Sequence, residues 1–270
     1  MEVVAKAERP WPAGCLGAIS LTFDDGRASH LARVLPVLED LGLRGTFYLN
    51  PRGATDDEWR ARLEPWQTVQ AAGHEIGNHS LSHVCSRAHR DRPDPRVPVL
   101  ETWTLADVEA DVLEAERRLR AVLGPPPGGA RTFCYPCYHE HVGEGPTRQS
   151  YVPVIARHFL AARGRGESGD NHPATCDLHY LWSWNVEHLD GPALVGRAER
   201  ASLGMFGTWV ILTFHDVGEG RRSNLFNTEP AFRELCEFLA RHRDRLWTAP
   251  VVEVARHIIA WRASPRRQVP

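Results

Sequence analysis

Two adjacent carboxylates follow a short apolar stretch near the beginning of the chain. Asp24 and Asp25 come directly after residues 19–23, whose alternating apolar side chains are typical of a strand, and Gly26 allows a sharp turn out of it. Two neighbouring acids repel each other, and a cleft keeps both ionised only if a cation lies nearby. Because successive strand side chains point to opposite sides, we expect one carboxylate to bind a metal and the other to face a substrate.

Two histidines spaced four residues apart supply further metal ligands. His79 and His83 follow a predicted strand at residues 74–78, and imidazole and carboxylate groups suit zinc and the neighbouring divalent metals. Together with Asp25 they predict a three-ligand site that leaves positions open for water and substrate, as catalytic sites do. A histidine pair at this spacing is a weak signal by itself, and the alternative for each ring is a polar role in the core or at the surface.

Asp24 and His215 are the residues whose chemistry suits proton transfer. Beside a metal, Asp24 stays ionised and can take a proton from an acidified water; its alternative role is to cap the following helix. His215 ends a predicted apolar strand at residues 208–214. Because imidazole titrates near neutral pH, it can donate a proton to a leaving amine. The alternative is a histidine at the rim of the fold with no chemical role.

The elements that must position these residues alternate between strands and helices along most of the chain. Apolar spacing predicts strands at residues 17–23, 45–49, 74–78, 131–135, 180–184, 208–214 and 246–248. Helical spacing predicts helices at residues 31–42, 59–73, 104–124, 152–162, 192–206, 229–243 and 251–261.

This alternation is typical of an α/β protein with a mostly parallel sheet, and the number of units favours a distorted (β/α) barrel of seven or eight strands. Active sites of such barrels lie at the carboxyl ends of the strands, where the residues named above stand. We expect one domain at residues 1–262 and a disordered tail at residues 263–270. Three irregular segments, 84–100, 138–150 and 163–177, are either walls of the site or tolerated insertions.

The composition is that of an ordinary globular protein. The chain has 270 residues, of which 42% are hydrophobic and 24% charged, and its net charge is -2 at pH 7. This balance gives no electrostatic footprint for nucleic acid. No apolar run approaches the ~20 residues that a bilayer requires, and the first residues lack a secretory signal pattern. We therefore predict a cytoplasmic protein with neither a nucleic-acid nor a membrane partner.

The six cysteines are scattered through a chain that is large enough to build its core without disulfides. Cys134 and Cys137 form a C-x-x-C pair, which alone is compatible with redox chemistry or with half of a zinc site. The sequence contains no second pair to complete a zinc site, and this pair follows a strand instead of starting a helix. We therefore predict two reduced thiols.

The order of these motifs resembles that of the polysaccharide deacetylase family, the NodB-homology group that forms carbohydrate esterase family four. The resemblance rests on TFDDG at 22–26, HSLSH at 79–83, an aromatic–proline strand end at 133–137, and a late strand that ends in His215. It extends over residues 18–217. It implies a distorted (β/α) barrel and a divalent metal, most often zinc, with cobalt, manganese or nickel as alternatives.

The resemblance also implies a role for each matching residue. Asp24 would act as general base and His215 as general acid, and the metal ligands would be Asp25, His79 and His83.

Two further functional groups of the family, the acid that orients the general acid and the oxyanion donor, have matches in this chain. Asp190 is the best match for the acid that orients His215, with Glu187 as a competitor. The backbone amide of Cys137, in the motif that also contains Tyr135, would stabilise the tetrahedral oxyanion together with the metal.

The chain departs from the family pattern at three positions. Cys134 stands where the family often has an arginine that contacts the base, and Arg131, three residues earlier, need not face the same way. Thr213 replaces a leucine that lines the acetyl pocket. Gly191 replaces a tryptophan that usually follows the acidic residue. The shape of the acetyl pocket and the identity of the substrate therefore stay open.

These observations favour a metal-dependent hydrolase that removes acetyl groups from N-acetylated sugars or polysaccharides by cleaving a linear amide C–N bond. One alternative is an amidase of the same fold that acts on a cyclic imide or a ureide. Another is a carbohydrate-binding homologue without turnover, although no predicted ligand or base is missing. The expected partner is a carbohydrate or a small amide, and the oligomeric state stays open.

Overall fold

Short, mostly parallel strands form the framework of the molecule. The structure is a computed structural model that describes residues 10–12, 14–89, 94, 96–165, 169–204, 207–218 and 224–264. Residues 265–270, most of the predicted tail, lie outside this part. The strands are β1 (Gly17–Phe23), β2 (Thr46–Leu49), β3 (Glu75–Asn78), β4 (Phe133–Cys134), β5 (His141–Val142), β6 (Gln149–Ser150), β7 (Ala162–Arg165), β8 (Leu181–Trp182), β9 (Trp184–Asn185), β10 (Trp209–Phe214), β11 (Asp216–Val217), β12 (Phe226–Asn227) and β13 (Leu246–Thr248).

Nine of these strands form one parallel sheet that curves back on itself. Eight of them follow the path β8-β7-β4-β3-β2-β1-β10-β9, and β13 pairs with β1. The two ends of the path, β8 and β9, are separated in the chain only by Ser183. The sheet is therefore nearly closed, and the predicted single-domain distorted (β/α) barrel is confirmed. The remaining strands form two small ladders, β5 with β6 and β11 with β12.

Most predicted strands occur at or near their predicted positions. Residues 17–23 and 246–248 match β1 and β13 without change, while the strand predicted at 180–184 is divided at Ser183. The prediction was wrong at residues 162–165, which we assigned to a helix end and an irregular segment. They form β7, which lies between β4 and β8 in the sheet.

The helices surround the sheet, and four of the eight in the described residues begin at side-chain caps. The long predicted helix is confirmed with Thr104 as its cap, whereas the helix predicted at 59–73 is two helices separated at Pro65, which has no N–H to continue the first one. No helix of the described residues is long and apolar enough to span a membrane. The helices are α1 (Leu35–Asp40), α2 (Asp56–Leu63), α3 (Trp66–Ala71), α4 (Leu105–Leu123), α5 (Val152–His158), α6 (Gly191–Glu199), α7 (Glu229–Arg241) and α8 (Val251–Ala263).

An aromatic cluster anchors the carboxyl end of β1. The ring of Phe23 stacks on Phe47 with centroids 4.9 Å apart and on Phe214 at 5.5 Å, and Phe232 meets it edge-on at 5.8 Å. All four rings are fully buried. Such aromatic contacts add to the stabilisation from burial. The cluster therefore fixes the backbone immediately before Asp24, where the chemistry-bearing residues begin.

Candidate active site

The adjacent carboxylates are separated by a turn at the end of β1. Asp24 is 3% exposed, and the backbone then turns through left-handed conformations at Asp25 (φ 73°) and Gly26 (φ 59°). The two acids therefore lie in different surroundings, one buried and one half-buried. We expected strand alternation to separate them, and the structure adds that a left-handed turn contributes to the separation.

The described part of the chain has six non-glycine residues with left-handed backbone, and all of them lie in segments that build this site. Such a conformation costs about 1 kcal/mol or more for a residue with a side chain, and it tends to cluster at functional sites. The six are Asp25 (φ 73°), Ser80 (φ 61°), His83 (φ 52°), Cys137 (φ 54°), Tyr138 (φ 59°) and His188 (φ 63°).

The structure brings together the three residues predicted as metal ligands. Oδ1 of Asp25 lies 3.7 Å from Nε2 of His79 and 3.5 Å from Nε2 of His83. Each residue offers one ligand atom, and these atoms all lie within 4.8 Å of one another. Two imidazole nitrogens and one carboxylate oxygen converging on one point form a donor set that fits a divalent cation.

The protonation of the two histidines also fits a metal. Nδ1 of His79 lies 2.9 Å from the carbonyl oxygen of Cys134, which orients the ring with Nε2 toward Asp25. Burial lowers the pKa of both His79 and His83, and the charge of His79 lowers the pKa of His83 further. Both rings are therefore neutral at pH 7, as a metal ligand must be.

The loop that carries the two histidines is fixed by side chains from two other segments of the chain. The carboxylate of Asp111 on α4 accepts hydrogen bonds from the backbone N–H groups of Leu81, at 2.8 Å, and Ser82, at 3.1 Å. The side chain of Asn50 donates to the carbonyl oxygens of His79 and Ser80. These contacts hold the ligand loop without using the imidazole nitrogens.

Asp24 forms a buried ion pair with Arg163, a residue that our sequence reasoning missed. Nη2 of Arg163 lies 2.5 Å from each carboxylate oxygen, and both side chains are almost completely buried. Burial would raise the pKa of Asp24, but the charge of Arg163, with smaller contributions from His79 and His215, lowers it well below its ordinary value. Asp24 is therefore ionised at neutral pH, as a general base must be.

Glu187, not Asp190, is the acid beside His215. Nδ1 of His215 is hydrogen bonded to Oε1 of Glu187. Burial would lower the pKa of His215, but this hydrogen bond and the nearby carboxylates raise it above its ordinary value. Asp190 is instead the N-cap of α6 and accepts a hydrogen bond from the backbone of Ala193. The sequence favoured Asp190 as the acid that orients His215, with Glu187 as its competitor. The structure corrects this preference to Glu187.

The aromatic–proline motif differs from expectation at two residues. Cys137 is bonded to Cys85 in a disulfide, so the prediction of two reduced thiols is wrong, although Cys134 is a free thiol. Tyr135 is 1% exposed and donates its hydroxyl to the carbonyl of His179, so its side chain belongs to the core and is not available to a substrate. The oxyanion role of the Cys137 amide stays a prediction.

Comparison with known proteins agrees with this geometry. The model of the polysaccharide deacetylase family matches residues 15–139. The resemblance to polysaccharide deacetylases is confirmed. A chitin deacetylase from Pestalotiopsis sp is 28% identical over 122 residues, which cover 44% of this chain and 33% of that protein. A chitin deacetylase from Colletotrichum lindemuthianum is 25% identical over 108 residues, or 40% of this chain and 38% of that protein. The matched segment thus spans between a third and two fifths of these relatives.

Solved structures of the same fold cover nearly the whole chain. A protein from Mycobacterium smegmatis described as a polysaccharide deacetylase has a TM-score of 0.61 at 18% identity and covers 96% of both chains. A family 4 acetyl xylan esterase from Clostridium thermocellum, solved with a cobalt ion, has a TM-score of 0.53 at 18% identity, covering 88% of this chain and 89% of that chain. At this level of identity the two structures support the fold alone.

Two of the departures from the polysaccharide deacetylase pattern, Cys134 and Thr213, both contact Arg163. The small side chain of Cys134 lies against the guanidinium of Arg163, which reaches Asp24 from the neighbouring strand β7. The hydroxyl of Thr213 accepts a hydrogen bond from Nη1 of Arg163 at 2.7 Å. Arg131 points elsewhere and pairs with Glu116 at 3.0 Å. The arginine of the family motif is therefore replaced by one from another strand, with a threonine that binds it.

Gly191 counted as the third departure only with Asp190 as the acid beside His215, and it lies where α6 packs closely against α7. A Cβ atom at this position would lie 1.8 Å from Oε2 and 3.1 Å from Cβ of Glu234 on α7. A side chain at position 191 would therefore require the carboxylate of Glu234 to move away from the first turn of α6.

Proposed function

We propose that this chain is a metal-dependent hydrolase that removes acetyl groups from N-acetylated sugars or polysaccharides by cleaving a linear amide C–N bond. The observation that carries the proposal is the convergence of Asp25, His79 and His83 beside an ionised buried carboxylate and a histidine–glutamate pair. The matched relatives are chitin deacetylases, which favours a carbohydrate substrate.

Asp25, His79 and His83 are the residues that would hold the metal, and zinc suits two imidazoles and one carboxylate. Cobalt, manganese and nickel accept the same donors. A divalent cation bound by these residues would polarise the acetyl carbonyl and make water acidic enough to attack at neutral pH.

Asp24 is the residue that would accept the proton of the attacking water. Its ion pair with Arg163 keeps the carboxylate ionised and holds it in one orientation at the end of β1. A general base must be ionised and fixed before the reaction, because reorientation would add to the barrier. Arg163 does not contact the substrate in this account, so we regard it as a positioning residue.

His215 is the residue that would protonate the leaving nitrogen. Its Nδ1 atom is hydrogen bonded to Glu187, so Nε2 is the nitrogen left to face the substrate. The raised pKa keeps a larger fraction of the ring protonated at neutral pH. The backbone N–H of Cys137 would stabilise the negative charge that develops on the acetyl oxygen.

A metal analysis combined with an acetate-release assay tests this proposal. We expect purified protein to contain about one divalent ion per chain and to release acetate from N-acetylglucosamine oligomers. Asp25→Ala should lose the ion and at least about 100-fold in kcat/KM, because it removes a direct ligand. Asp40→Ala is the matched control, since Asp40 is an exposed carboxylate that pairs with Arg233.

Two results would contradict the proposal. One is full acetate release by protein stripped of metal, which would remove the need for the ligand set. The other is a metal-loaded protein that binds the oligomers without releasing acetate, which would favour a carbohydrate-binding homologue.

A further inference from the structure

The cavity beside the metal-ligand set is rich in arginine. The cavity has a volume of about 970 Å³ and is lined by the ligands Asp25 and His83. Four arginines also line it, and Asp216 is the one further carboxylate that the described residues contribute to its lining. They are Arg27, Arg33, Arg52 and Arg62. This concentration of positive charge contrasts with the net charge of -2 for the whole chain.

Two of these four arginines have counter-ions and two do not. Arg27 pairs with Asp25 at 2.9 Å, and Arg33 pairs with Glu229 at 2.8 Å. Within the described part of the chain, neither Arg52 nor Arg62 has an ion-pair or hydrogen-bond partner for its guanidinium group. Burial lowers the pKa of Arg52 and the charge of Arg62 adds to this effect, whereas the charges of Asp25 and Asp111 oppose it. Two positively charged side chains therefore line the cavity without an ion-pair partner among the described residues.

Arginines elsewhere on the surface of the described part are commonly paired with carboxylates. Examples are Arg44 with Glu253, Arg96 with Asp94, Arg117 with Glu114, Arg157 with Glu109 and Arg233 with Asp40. What sets Arg52 and Arg62 apart from other arginines is their position, because both line the cavity that also contains Asp25 and His83.

Arg52 also lies close in sequence to the support of the ligand loop. Asn50, two residues earlier, holds the carbonyl oxygens of His79 and Ser80, and the backbone N–H of Arg52 donates to the carbonyl of Asn50 at 2.8 Å. The guanidinium of Arg52 is therefore attached to the same short segment that positions the metal ligands. A group bound by Arg52 would lie near the reacting acetyl group.

We infer that the substrate of the proposed deacetylation carries an anionic group, a carboxylate or a phosphate, that binds to Arg52 and Arg62. The inference rests on the proposed function. A planar guanidinium matches both anions with two parallel hydrogen bonds, and two of them around one cavity attract an anion more strongly than either alone. A cavity lined by one sign of charge also raises the local concentration of oppositely charged substrates.

The test compares three probe substrates that differ in charge. Acetate release is measured from N-acetylglucosamine, N-acetylglucosamine 6-phosphate and N-acetylmuramic acid, which carry no anion, a phosphate and a carboxylate. We expect kcat/KM to be at least about tenfold higher for one of the anionic sugars than for the neutral one, chiefly through KM. In the double variant Arg52→Gln/Arg62→Gln, kcat/KM for the anionic sugar should fall to that for the neutral sugar. The matched control, Arg117→Gln/Arg157→Gln, removes two paired surface arginines and should leave it unchanged.

A binding measurement separates this inference from the proposed function. Calorimetric titration with glucosamine 6-phosphate and with glucosamine needs no turnover. Binding of the phosphorylated sugar that depends on Arg52 and Arg62, without acetate release from any probe, would support the anion site and overturn the proposed function. Equal turnover of neutral and anionic sugars, unchanged by the double variant, would overturn the anion site and keep the function. Neither binding nor turnover would overturn both.

Discussion

Nη2 of Arg163 lies 2.5 Å from both carboxylate oxygens of Asp24, and it reaches them from β7 across the small side chain of Cys134. The contact joins the ends of two strands that are 139 residues apart in the chain. It fixes the orientation of the proposed base and supplies the charge that keeps it ionised.

Replacing Arg163 with methionine removes the charge and leaves Asp24 buried without its partner. We expect the free energy of unfolding to fall by about 3 kcal/mol, because an uncompensated buried charge is costly. The pKa of Asp24, now held below its ordinary value, should rise, so the acid limb of the pH–rate profile should move to higher pH. Urea unfolding and the pH dependence of kcat/KM measure the two effects.

Arg131→Met provides the control, because Arg131 is also buried and pairs with Glu116 at 3.0 Å. It should destabilise the protein without moving the acid limb. The lowered pKa of Asp24 contributes stability above the unfolded-state pKa, and this contribution is lost as the pH falls through the folded-state pKa. Arg163→Met should lack that contribution. An acid limb that stays in place in Arg163→Met would contradict Asp24 as the base.

Glu187→Gln should change the alkaline side of the pH–rate profile. The carboxylate of Glu187 helps to raise the pKa of His215, so its loss should lower that pKa. His215 would then lose its proton at a lower pH, and the alkaline limb of kcat/KM should move in that direction. The measurement is kcat/KM over pH 5 to about 9, with NMR titration of the imidazole as an independent readout.

Asp190→Asn separates the two acids that the sequence offered as partners of His215. Asp190 caps α6, so its replacement should cost at most about 1 kcal/mol of stability and leave the pH–rate profile unchanged. If Asp190→Asn moved the alkaline limb and Glu187→Gln did not, the assignment of Glu187 would be wrong.

Cys85→Ser should weaken catalysis through the loop that carries the proposed oxyanion donor. The disulfide ties Cys137 to a residue 52 positions earlier, next to the ligand loop. Without it we expect a loss of about 2–4 kcal/mol in stability. We also expect roughly a tenfold fall in kcat, because the Cys137 N–H would no longer be held in place. Cys176→Ser, which removes a free thiol, is the control.

Metal content should be measured in the same Cys85→Ser protein. We expect it to stay at the wild-type level, since neither cysteine belongs to the ligand set. Loss of both metal and activity would show that the disulfide acts on His83 and not on the Cys137 loop.

Asp111→Ala should weaken metal binding without removing a ligand. Its carboxylate holds the backbone of Leu81 and Ser82, so its loss should loosen the ligand loop and reduce metal affinity by about 10-fold to 100-fold. Chelator competition gives the affinity. Asp107→Ala, on the same helix, removes part of the α4 capping box and should cost stability without changing metal affinity. Equal losses of affinity in the two variants would contradict the role of Asp111.

The convergence of Asp25, His79 and His83 could be predicted from the sequence. Asp25 and His79 each follow a strand of one parallel sheet, and the carboxyl ends of such strands meet at one edge. The apolar run of β1 and the four-residue spacing of the histidines were sufficient to place the ligands. Gly26 predicted a sharp turn after the carboxylates, but the sequence did not predict the left-handed backbone at Asp25, which helps to separate Asp25 from Asp24.

Other parts of the site had no local signal. Arg163 lies in a four-residue strand that contains glycine and two arginines, and such a strand shows no apolar alternation. Its burial follows only from the surrounding barrel. Glu187 and Asp190 are three residues apart, and the left-handed backbone at His188 between them has no signal in the sequence. The Cys85–Cys137 pairing joins two loops whose proximity depends on the closed sheet.

Cys134 and Arg163 share one small volume beside Asp24, and this has a consequence for how related chains are classified. An arginine at position 134 would compete with Arg163 for that volume. If the arginine moves from one of these positions to the other by single substitutions, the intermediate chain has an arginine at both positions or at neither. The double variant Cys134→Arg/Arg163→Ala places the arginine in the aromatic–proline motif, as in the family pattern. A homologue that lacks arginine in the aromatic–proline motif should therefore be searched for one on the adjoining strand before it is judged inactive.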